Sequence, residues 1–282
     1  MKSSLMRQFA ALMGVALLLS SAALAGGYER VIIPFDDGQL DAVLYRPSGP
    51  GPFPAVVALH GCNGLWRSDG RISLRHSDWG ERLAQAGLLV LMPDSYGSRR
   101  LGSQCGVKDA TVRPSRERVA DAAASRRWLQ ARGDVRKDRI MLMGWSGGGS
   151  AVLAAIRQDR RPADGLPDFA RAVAFYPNCR LQSESTSFSA RLPTLILMGE
   201  ADDWTPPAPC NYLAIAARHR GESVELVLYP GALHDFDHPR LDVRERSDIA
   251  FSATGTGKAT VGTNPEARED AIRRVKAYLG DG

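Results

Sequence analysis

Short apolar runs recur along this chain with longer stretches between them, and no other feature of the sequence constrains the fold as strongly. The run AVVALH at 55–60 is the pattern expected of a strand that is buried on both faces of a sheet. Comparable runs lie at 88–94, 140–144, 172–177, 194–199 and 224–230. Helices are predicted near 78–86 and, from apolar residues at helical spacing, over 115–131. Strands that alternate with helices predict a mainly parallel sheet with helical crossovers.

Local patterns also predict how the fold begins and ends. Two strand-like segments, 31–35 and 42–47, flank Asp37-Gly38, a dipeptide that favours a tight hairpin turn. An antiparallel pair is therefore expected ahead of the parallel strands. The final helix is predicted over Pro265 to Leu279, because proline suits the first helical position and Gly280 follows its end.

The N-terminus is typical of an export signal. Lys2 and Arg7 precede an apolar run over 9–19, and Ala23-Leu24-Ala25 supplies the small residues of a cleavage site. Residues 1–25 are therefore predicted to be a signal peptide, with an uncleaved anchor as the alternative. No cysteine comes directly after the apolar run, so a lipid anchor is not expected. We expect a periplasmic or secreted protein with no stable membrane anchor after cleavage.

The remaining residues, 26–282, are predicted to form one domain. They are enough for a single large core, and an apolar content of 44% with 24% charged residues is ordinary for a globular chain. No linker or repeat divides them, and we expect a mostly parallel sheet of about eight strands with helices on both faces. Residues 240–264 show no apolar period and are expected to run over the surface.

The charge and the cysteines limit the partners and the chemistry. The net charge is +5, but the arginines are scattered and no basic run is interleaved with aromatic residues, so no nucleic-acid partner is expected. The four cysteines are Cys62, Cys105, Cys179 and Cys210. None are spaced as C-x-x-C, which leaves disulfides or buried thiols in an oxidising compartment.

The segment IMLMGWSGGGS, Ile140 to Ser150, contains the first catalytic signal. A G-x-S-x-G pattern can be a flexible glycine loop, but here a strand precedes Ser146 and a helix follows it, as a nucleophile elbow requires. A phosphate-binding loop is excluded because Ser252 stands where its first glycine belongs before Gly257-Lys258. A dinucleotide G-x-G-x-x-G is excluded because Val152 takes its last place. Ser146 is therefore predicted to be a nucleophile.

A serine nucleophile needs a histidine base, and only three of the five histidines follow Ser146. His219 lies in a predicted helix between two arginines, where a surface position is expected. His234 comes just after the strand at 224–230, at the sheet edge where ligands bind in this architecture. His238 is the alternative, four residues further on and less constrained by the strand. His234 is the predicted base.

The acid and the oxyanion donors are sought at the same edge. Asp202 and Asp203 both follow a strand directly, and one of them is expected to orient the histidine; the alternative is that both merely form a turn. The amides of Gly147 and Cys62 are predicted to form the oxyanion hole. His60 is predicted to be a hydrogen-bonded scaffold residue rather than a second base.

Five segments resemble the dienelactone hydrolase family of the α/β-hydrolase superfamily: LHGCNG, VLMPDSYGSR, GWSGGG, GEADDWTP and YPGALHDF. The resemblance implies the α/β-hydrolase fold over the mature chain. Its pattern G-x-x-D-x-x-x-P, from Gly199 to Pro206, assigns the acid to Asp202, and its histidine falls on His234. Dienelactone hydrolases proper have cysteine where this chain has Ser146, so a serine esterase on the same scaffold is the preferred interpretation.

In this fold the third and fourth strands are neighbours, so their following residues Cys62 and Cys105 are predicted to pair. Cys179 and Cys210 follow another neighbouring pair of strands and are predicted to form a second disulfide. Buried thiols remain the alternative.

The predicted activity is hydrolysis of small-molecule carboxylic esters through an acyl-enzyme, without a cofactor or a metal ion. Tyr96 and Trp204 are expected to wall the pocket, which favours small or aryl acyl groups. Arg99 is expected to bind an acidic group of the substrate, with a solvent-exposed side chain as the alternative. A serine peptidase of the same fold, or a catalytically silent binding protein, are the alternative functions.

Overall fold

An eight-stranded sheet forms the centre of the computed structural model, which describes residues 27–35, 38–247 and 249–280. The strand order is β1-β2-β4-β3-β5-β6-β7-β8. The strands are β1 (Tyr28–Phe35), β2 (Gly38–Tyr45), β3 (Phe53–Leu59), β4 (Leu89–Pro93), β5 (Val135–Trp145), β6 (Ala172–Phe175), β7 (Thr194–Gly199) and β8 (Val224–Tyr229). β1, β2 and β4 pair antiparallel, and every pairing from β4 to β8 is parallel. The predicted fold class is confirmed.

The hairpin at the start of the fold is also confirmed, with Phe35 paired to Gly38. The predicted turn residue Asp37 lies outside the described residues. The predicted signal peptide, residues 1–25, also lies outside them.

Six helices are described: α1 (Leu74–Gln85), α2 (Glu117–Gln130), α3 (Gly147–Ala155), α4 (Arg180–Ser183), α5 (Pro207–His219) and α6 (Pro265–Gly280). The helix predicted near 78–86 begins earlier, at Leu74. β4, β6 and β7 are buried at every residue, which requires that both faces of the sheet be covered. Among the described residues, none of these helices is both long and apolar enough to cross a bilayer.

The segment 240–264 lies mostly at the surface, as expected, but it also contains regular structure that the sequence did not predict. β9 (Arg244–Arg246) and β10 (Ala259–Val261) form a small antiparallel sheet there. Ile249 and Ala259 are buried in a cluster of their own with Cys105. Strands of three residues are too short to show a period, so neither β9 nor β10 was visible in the sequence.

Both predicted disulfides are present, Cys62–Cys105 and Cys179–Cys210, and none of the four cysteines is free. The first bridge joins the loop after β3 to the loop after β4. The second joins the N-terminus of α4 to α5. Both bridges therefore tie down connections at the carboxyl ends of the strands, the edge at which the predicted site residues lie.

Candidate active site

Ser146 stands in a sharp turn between β5 and α3, with a φ of +52° that non-glycine residues rarely adopt. Two glycines permit the turn by close backbone contact. A Cβ at Gly148 would lie 2.1 Å from the carbonyl oxygen of Leu59, and one at Gly144 would lie 2.5 Å from the carbonyl carbon of Gly148. Any side chain at either position would force these segments apart. The turn has the geometry of the nucleophile elbow that the sequence predicts.

A continuous chain of polar contacts runs from Ser146 to Asp202. Ser146 Oγ lies 3.0 Å from Nε2 of His234, and the other ring nitrogen, Nδ1, lies 2.8 Å from Oδ2 of Asp202. The backbone amides of Trp204 and Thr205 donate to the second carboxylate oxygen at 2.9 and 2.8 Å. These two bonds fix the orientation of Asp202, which in turn fixes the tautomer and plane of the imidazole.

The neighbouring Asp203 makes different contacts. Its carboxylate accepts hydrogen bonds from the backbone amide of Thr260 at 2.8 Å and from the Thr260 hydroxyl at 3.1 Å. Asp203 therefore holds β10 against the site, while Asp202 is the carboxylate at the imidazole. The structure brings together Ser146, His234 and Asp202, as the sequence predicts.

The surroundings of His234 favour its protonated form. Burial acts to lower the pKa of the imidazole, but the charge of Asp202 and its hydrogen bond act in the opposite direction and raise the pKa above its usual value. The aromatic rings of Tyr176 and Trp204 pack at 4.5 and 4.7 Å from the imidazole, measured between ring centroids. These rings restrict the movement of the histidine.

The loop after β3 brings the Cys62 amide close to Gly147, the residue after Ser146. A Cβ placed on Gly147 would be 3.8 Å from the amide nitrogen of Cys62, so the loop after β3 runs close to the start of α3. Among the described residues, the Cys62 amide donates no hydrogen bond to another backbone group. The Cys62 amide therefore lies close to Gly147, and the oxyanion hole stays a prediction.

His60 is a buried scaffold residue, as the sequence predicts. The Ser95 amide donates to its Nε2 at 3.1 Å, so the proton lies on Nδ1, which donates to the carbonyl of Gly61 at 2.8 Å. Burial, followed by the nearby charge of Arg118, holds the pKa of His60 well below its usual value. Both ring nitrogens of this neutral imidazole are engaged in hydrogen bonds. His60 therefore holds the two loops in position and has no free nitrogen for proton transfer.

The cleft at Ser146 is small, about 140 Å³, and its wall includes the predicted residue Trp204. Its polar lining includes three arginines, Arg75, Arg244 and Arg246. Arg246 of β9 lies with its guanidinium 5.3 Å from the centre of the Trp204 ring and donates to Asn63 at 2.7 Å. Arg75 also lines the cleft but forms an ion pair with Asp235 at 2.5 Å.

The substrate-binding role predicted for Arg99 was wrong. Its guanidinium binds the carboxylate of Asp121 at two points, 2.7 and 3.0 Å, and also donates to the Ser95 carbonyl at 2.8 Å. Asp121 is fully buried on α2 and needs a cationic partner, so it draws Arg99 away from the cleft. The alternative, a solvent-exposed side chain, was also wrong, because only 24% of the Arg99 side chain is exposed.

Tyr96 does not wall the cleft as predicted. It is 3% exposed and packs against the ring of His60 at 4.7 Å. The loop after β4 folds back in a short 3-10 turn over Gly97–Arg99, which carries Tyr96 beneath the site. His238 lines the cleft but its Nδ1 accepts from the Arg240 amide at 3.0 Å, so it takes no part in the contacts to Ser146.

Two residues of the site were not predicted from the sequence. Thr205 Oγ1 lies 2.9 Å from Asp202 Oδ2 and 3.2 Å from His234 Nδ1, and the position of Thr205 three residues after the acid was its only signal. Asp237 is fully buried behind the histidine loop and accepts hydrogen bonds from Trp79, Trp145 and Tyr176 at 2.7, 2.8 and 2.5 Å. Its signal was the alternation of charged and aromatic residues just after His234.

Within the described ranges, no group of three or more histidine, cysteine or acidic side chains is arranged to hold a metal ion.

Comparison with known proteins places the chain in a family. The model of the dienelactone hydrolase family matches residues 40–281. A Methylorubrum extorquens protein named "Putative carboxymethylenebutenolidase" is 26% identical over 217 residues, which cover 73% of this chain and 71% of that protein.

Solved structures share the fold. The "Putative Dienelactone Hydrolase" of Klebsiella pneumoniae subsp. pneumoniae MGH 78578 has a TM-score of 0.65 at 20% identity and covers 90% of this chain and 98% of its own. A propionate-bound thermophilic esterase from Thermogutta terrifontis has a TM-score of 0.64 at 18% identity, covering 90% and 94%. On the family match over most of its length, this chain belongs to the dienelactone hydrolase family of hydrolases that act on ester bonds.

Proposed function

We propose that this protein is an exported serine hydrolase that cleaves carboxylic esters with small or aryl acyl groups. The observation that carries the proposal is the chain of contacts from Ser146 through His234 to Asp202, at 3.0 and 2.8 Å. A serine hydroxyl becomes nucleophilic when a base that is itself oriented by a third group lies within hydrogen-bonding distance.

The proposed mechanism uses these contacts. Ser146 Oγ attacks the ester carbonyl while His234 Nε2 accepts its proton, and Asp202 stabilises the imidazolium that forms. The negative charge on the carbonyl oxygen is bound by the amides of Cys62 and Gly147. His234 then donates the proton to the leaving alcohol, which departs and leaves an acyl-enzyme. A water molecule, deprotonated by the same histidine, releases the acid and regenerates Ser146.

The size of the cleft supports the substrate class. A volume of about 140 Å³ is well below the roughly 300 Å³ at which sites for drug-sized ligands begin. The Thermogutta terrifontis esterase was solved with the short acid propionate bound. The aromatic wall at Trp204 suits a small flat group.

Export is supported by the cysteines and by the predicted signal peptide. Two disulfides account for all four cysteines, and structural disulfides persist mainly in oxidising compartments such as the periplasm. An N-terminal sequence of the protein from culture supernatant or periplasm should begin near Gly26. A start at Met1 in the exported fraction would rule out the predicted cleavage.

The mechanism is tested by Ser146→Ala. The loss of kcat toward aryl esters should be on the order of 10⁴-fold or more, while the melting temperature stays close to that of the wild type. Ser187→Ala, at an exposed serine, is the matched control and should keep full activity. Most of the activity surviving in a folded Ser146→Ala protein would refute the mechanism.

Two further measurements separate the alternatives. A fluorophosphonate should label the wild type but not Ser146→Ala, and a catalytically silent binding protein would not be labelled at all. Faster turnover of peptide than of ester substrates would favour the serine peptidase.

A further inference from the structure

Arg118 is a fully buried residue in the first turn of α2, and its side chain extends under the loop after β3. Its Nη2 donates to the carbonyl of His60 at 2.7 Å, and its Nε lies 3.4 Å from Ser95 Oγ. The guanidinium lies 5.3 Å from the centre of the Tyr96 ring. Arg118 thus contacts the loops that follow two neighbouring strands, β3 and β4.

The positive charge of Arg118 lacks a carboxylate partner. In the described part of the chain no acidic oxygen lies within 4.0 Å of it, and its Nη1 has no hydrogen-bond partner. The other two buried arginines differ, because Arg75 is paired with Asp235 and Arg126 with Asp164. A buried cation without a counter-charge is costly, and such groups cluster where charge develops during a reaction.

The unpartnered nitrogen lies at the predicted oxyanion hole. A Cβ placed on Gly147 would be 3.7 Å from Arg118 Nη1 and 3.8 Å from the amide nitrogen of Cys62. The guanidinium therefore lies close to both of the amides that face the developing charge. The charge of Arg118 also acts on His60 in the same loop. After burial, this charge is the largest influence that lowers the pKa of the His60 imidazole.

We propose that Arg118 is a positioning residue of the oxyanion hole, which holds the His60 carbonyl so that the Cys62 amide faces the substrate, and which places a fixed positive charge behind both amides. This inference rests on the proposed function. The ground-state ester is neutral, and the negative charge that compensates Arg118 exists only in the tetrahedral intermediate. Interactions stronger in the transition state than in the ground state raise kcat rather than lower KM.

The test compares three substitutions on α2. Arg118→Gln keeps a donor for the His60 carbonyl but removes the charge, and Arg118→Lys keeps the charge on a shorter group. Arg126→Met is the control, because Arg126 is equally buried on the same helix but binds Asp164 and the Pro167 carbonyl, away from the cleft. Active sites are titrated with a fluorophosphonate, so that kcat refers to folded enzyme only.

Removing one oxyanion donor typically costs on the order of 10²-fold in kcat, and we expect a loss of that order for Arg118→Gln with KM changed less than about threefold. Arg118→Lys should retain an intermediate kcat. Arg126→Met should lower the melting temperature without lowering kcat per titrated site. A purely structural role would give Arg118→Gln the same behaviour as Arg126→Met, and that result would overturn the inference.

A second measurement isolates the anionic state. Phenylboronic acid bonds to Ser146 Oγ, whose proton passes to His234 Nε2, and becomes a tetrahedral anion, so its affinity should fall in Arg118→Gln by about the same factor as kcat. Unchanged boronate affinity in a variant with reduced kcat would contradict a role at the oxyanion. The proposed function fails separately, if the wild type hydrolyses no ester or if Ser146→Ala retains activity.

Discussion

Adjacent residues with the same chemistry have separate roles in this site. Asp202 and Asp203 leave β7 in succession, and their side chains diverge, one to the imidazole of His234 and the other to Thr260 of β10. Composition alone could not choose between them, since either carboxylate follows the strand closely. The pattern shared with the family points to Asp202, which is the carboxylate that lies at the imidazole, and the hydroxyl of Thr205 donates a hydrogen bond to it there.

The two aspartates should differ in activity and in pH dependence. His234 must be neutral to accept the proton of Ser146, so kcat/KM of the wild type should fall as the pH drops below the pKa of His234, which the charge of Asp202 raises against the opposing effect of burial. Asp202→Asn removes the charge that raises this pKa and leaves burial, which lowers it. The acid limb should therefore move to lower pH, and kcat should fall on the order of 10³- to 10⁴-fold.

Asp203→Asn is the matched control for this experiment. It removes a charge one residue away but leaves the imidazole contact intact, so the acid limb should stay in place and kcat should change only a few-fold. A larger loss of kcat in Asp203→Asn than in Asp202→Asn would show that Asp203, and not Asp202, orients the imidazole.

At the scale of elements, β9 and β10 complete the site. The Gly262 amide, just after β10, donates to the His234 carbonyl at 3.1 Å, and Asp203 fixes Thr260. The small sheet thereby places Arg246 at the cleft, where burial lowers the pKa of a guanidinium that has no ion pair among the described residues. This is the position that the sequence reasoning had assigned to Arg99, on a different element.

Arg246 should favour substrates that carry a carboxylate beside the ester. A charge-assisted hydrogen bond contributes about 1.5–3 kcal/mol, so Arg246→Ala should lower kcat/KM for an anionic aryl ester about tenfold or more relative to its neutral counterpart. The measurement is the ratio of kcat/KM for the two esters in each variant. Lys258→Ala removes an exposed cation next to β10 and should leave the ratio unchanged. An equal ratio in the wild type and in Arg246→Ala would exclude this role.

At the scale of the whole molecule, the sequence predicts strands and turns, which depend on repeated or local patterns. It does not predict side-chain contacts between residues that are far apart in the chain. Strands buried on both faces are visible as apolar runs, and the ends of parallel strands meet at one edge, which predicts that Ser146, His234 and the pair Asp202 and Asp203 lie together. The choice of Asp202 over Asp203 came from the resemblance to the family. Arg99 was misjudged because its partner Asp121 lies on another element, and nothing near Arg99 in the sequence indicates the pair.

Asp237 shows how such a distant partner connects the molecule. It lies three residues after His234, and its donors come from α1, from the end of β5 directly before Ser146, and from the residue that follows β6. Two of these donors, Trp79 and Trp145, are fully buried indoles. The Asp237 carboxylate thus connects the loop after β8, which carries His234, to β5 and to α1.

Asp237→Ala should therefore destabilise the whole fold. Three buried donors would lose their acceptor, and breaking a buried charged network typically costs about 3–5 kcal/mol in the free energy of unfolding. Urea denaturation followed by tryptophan fluorescence measures this loss directly. Asp237→Asn keeps one carbonyl acceptor and should lose less. Glu184→Ala, in an exposed i,i+4 pair with Arg180, is the control and should cost at most about 0.5 kcal/mol. A loss for Asp237→Ala as small as that of Glu184→Ala would show that the network does not hold these elements together.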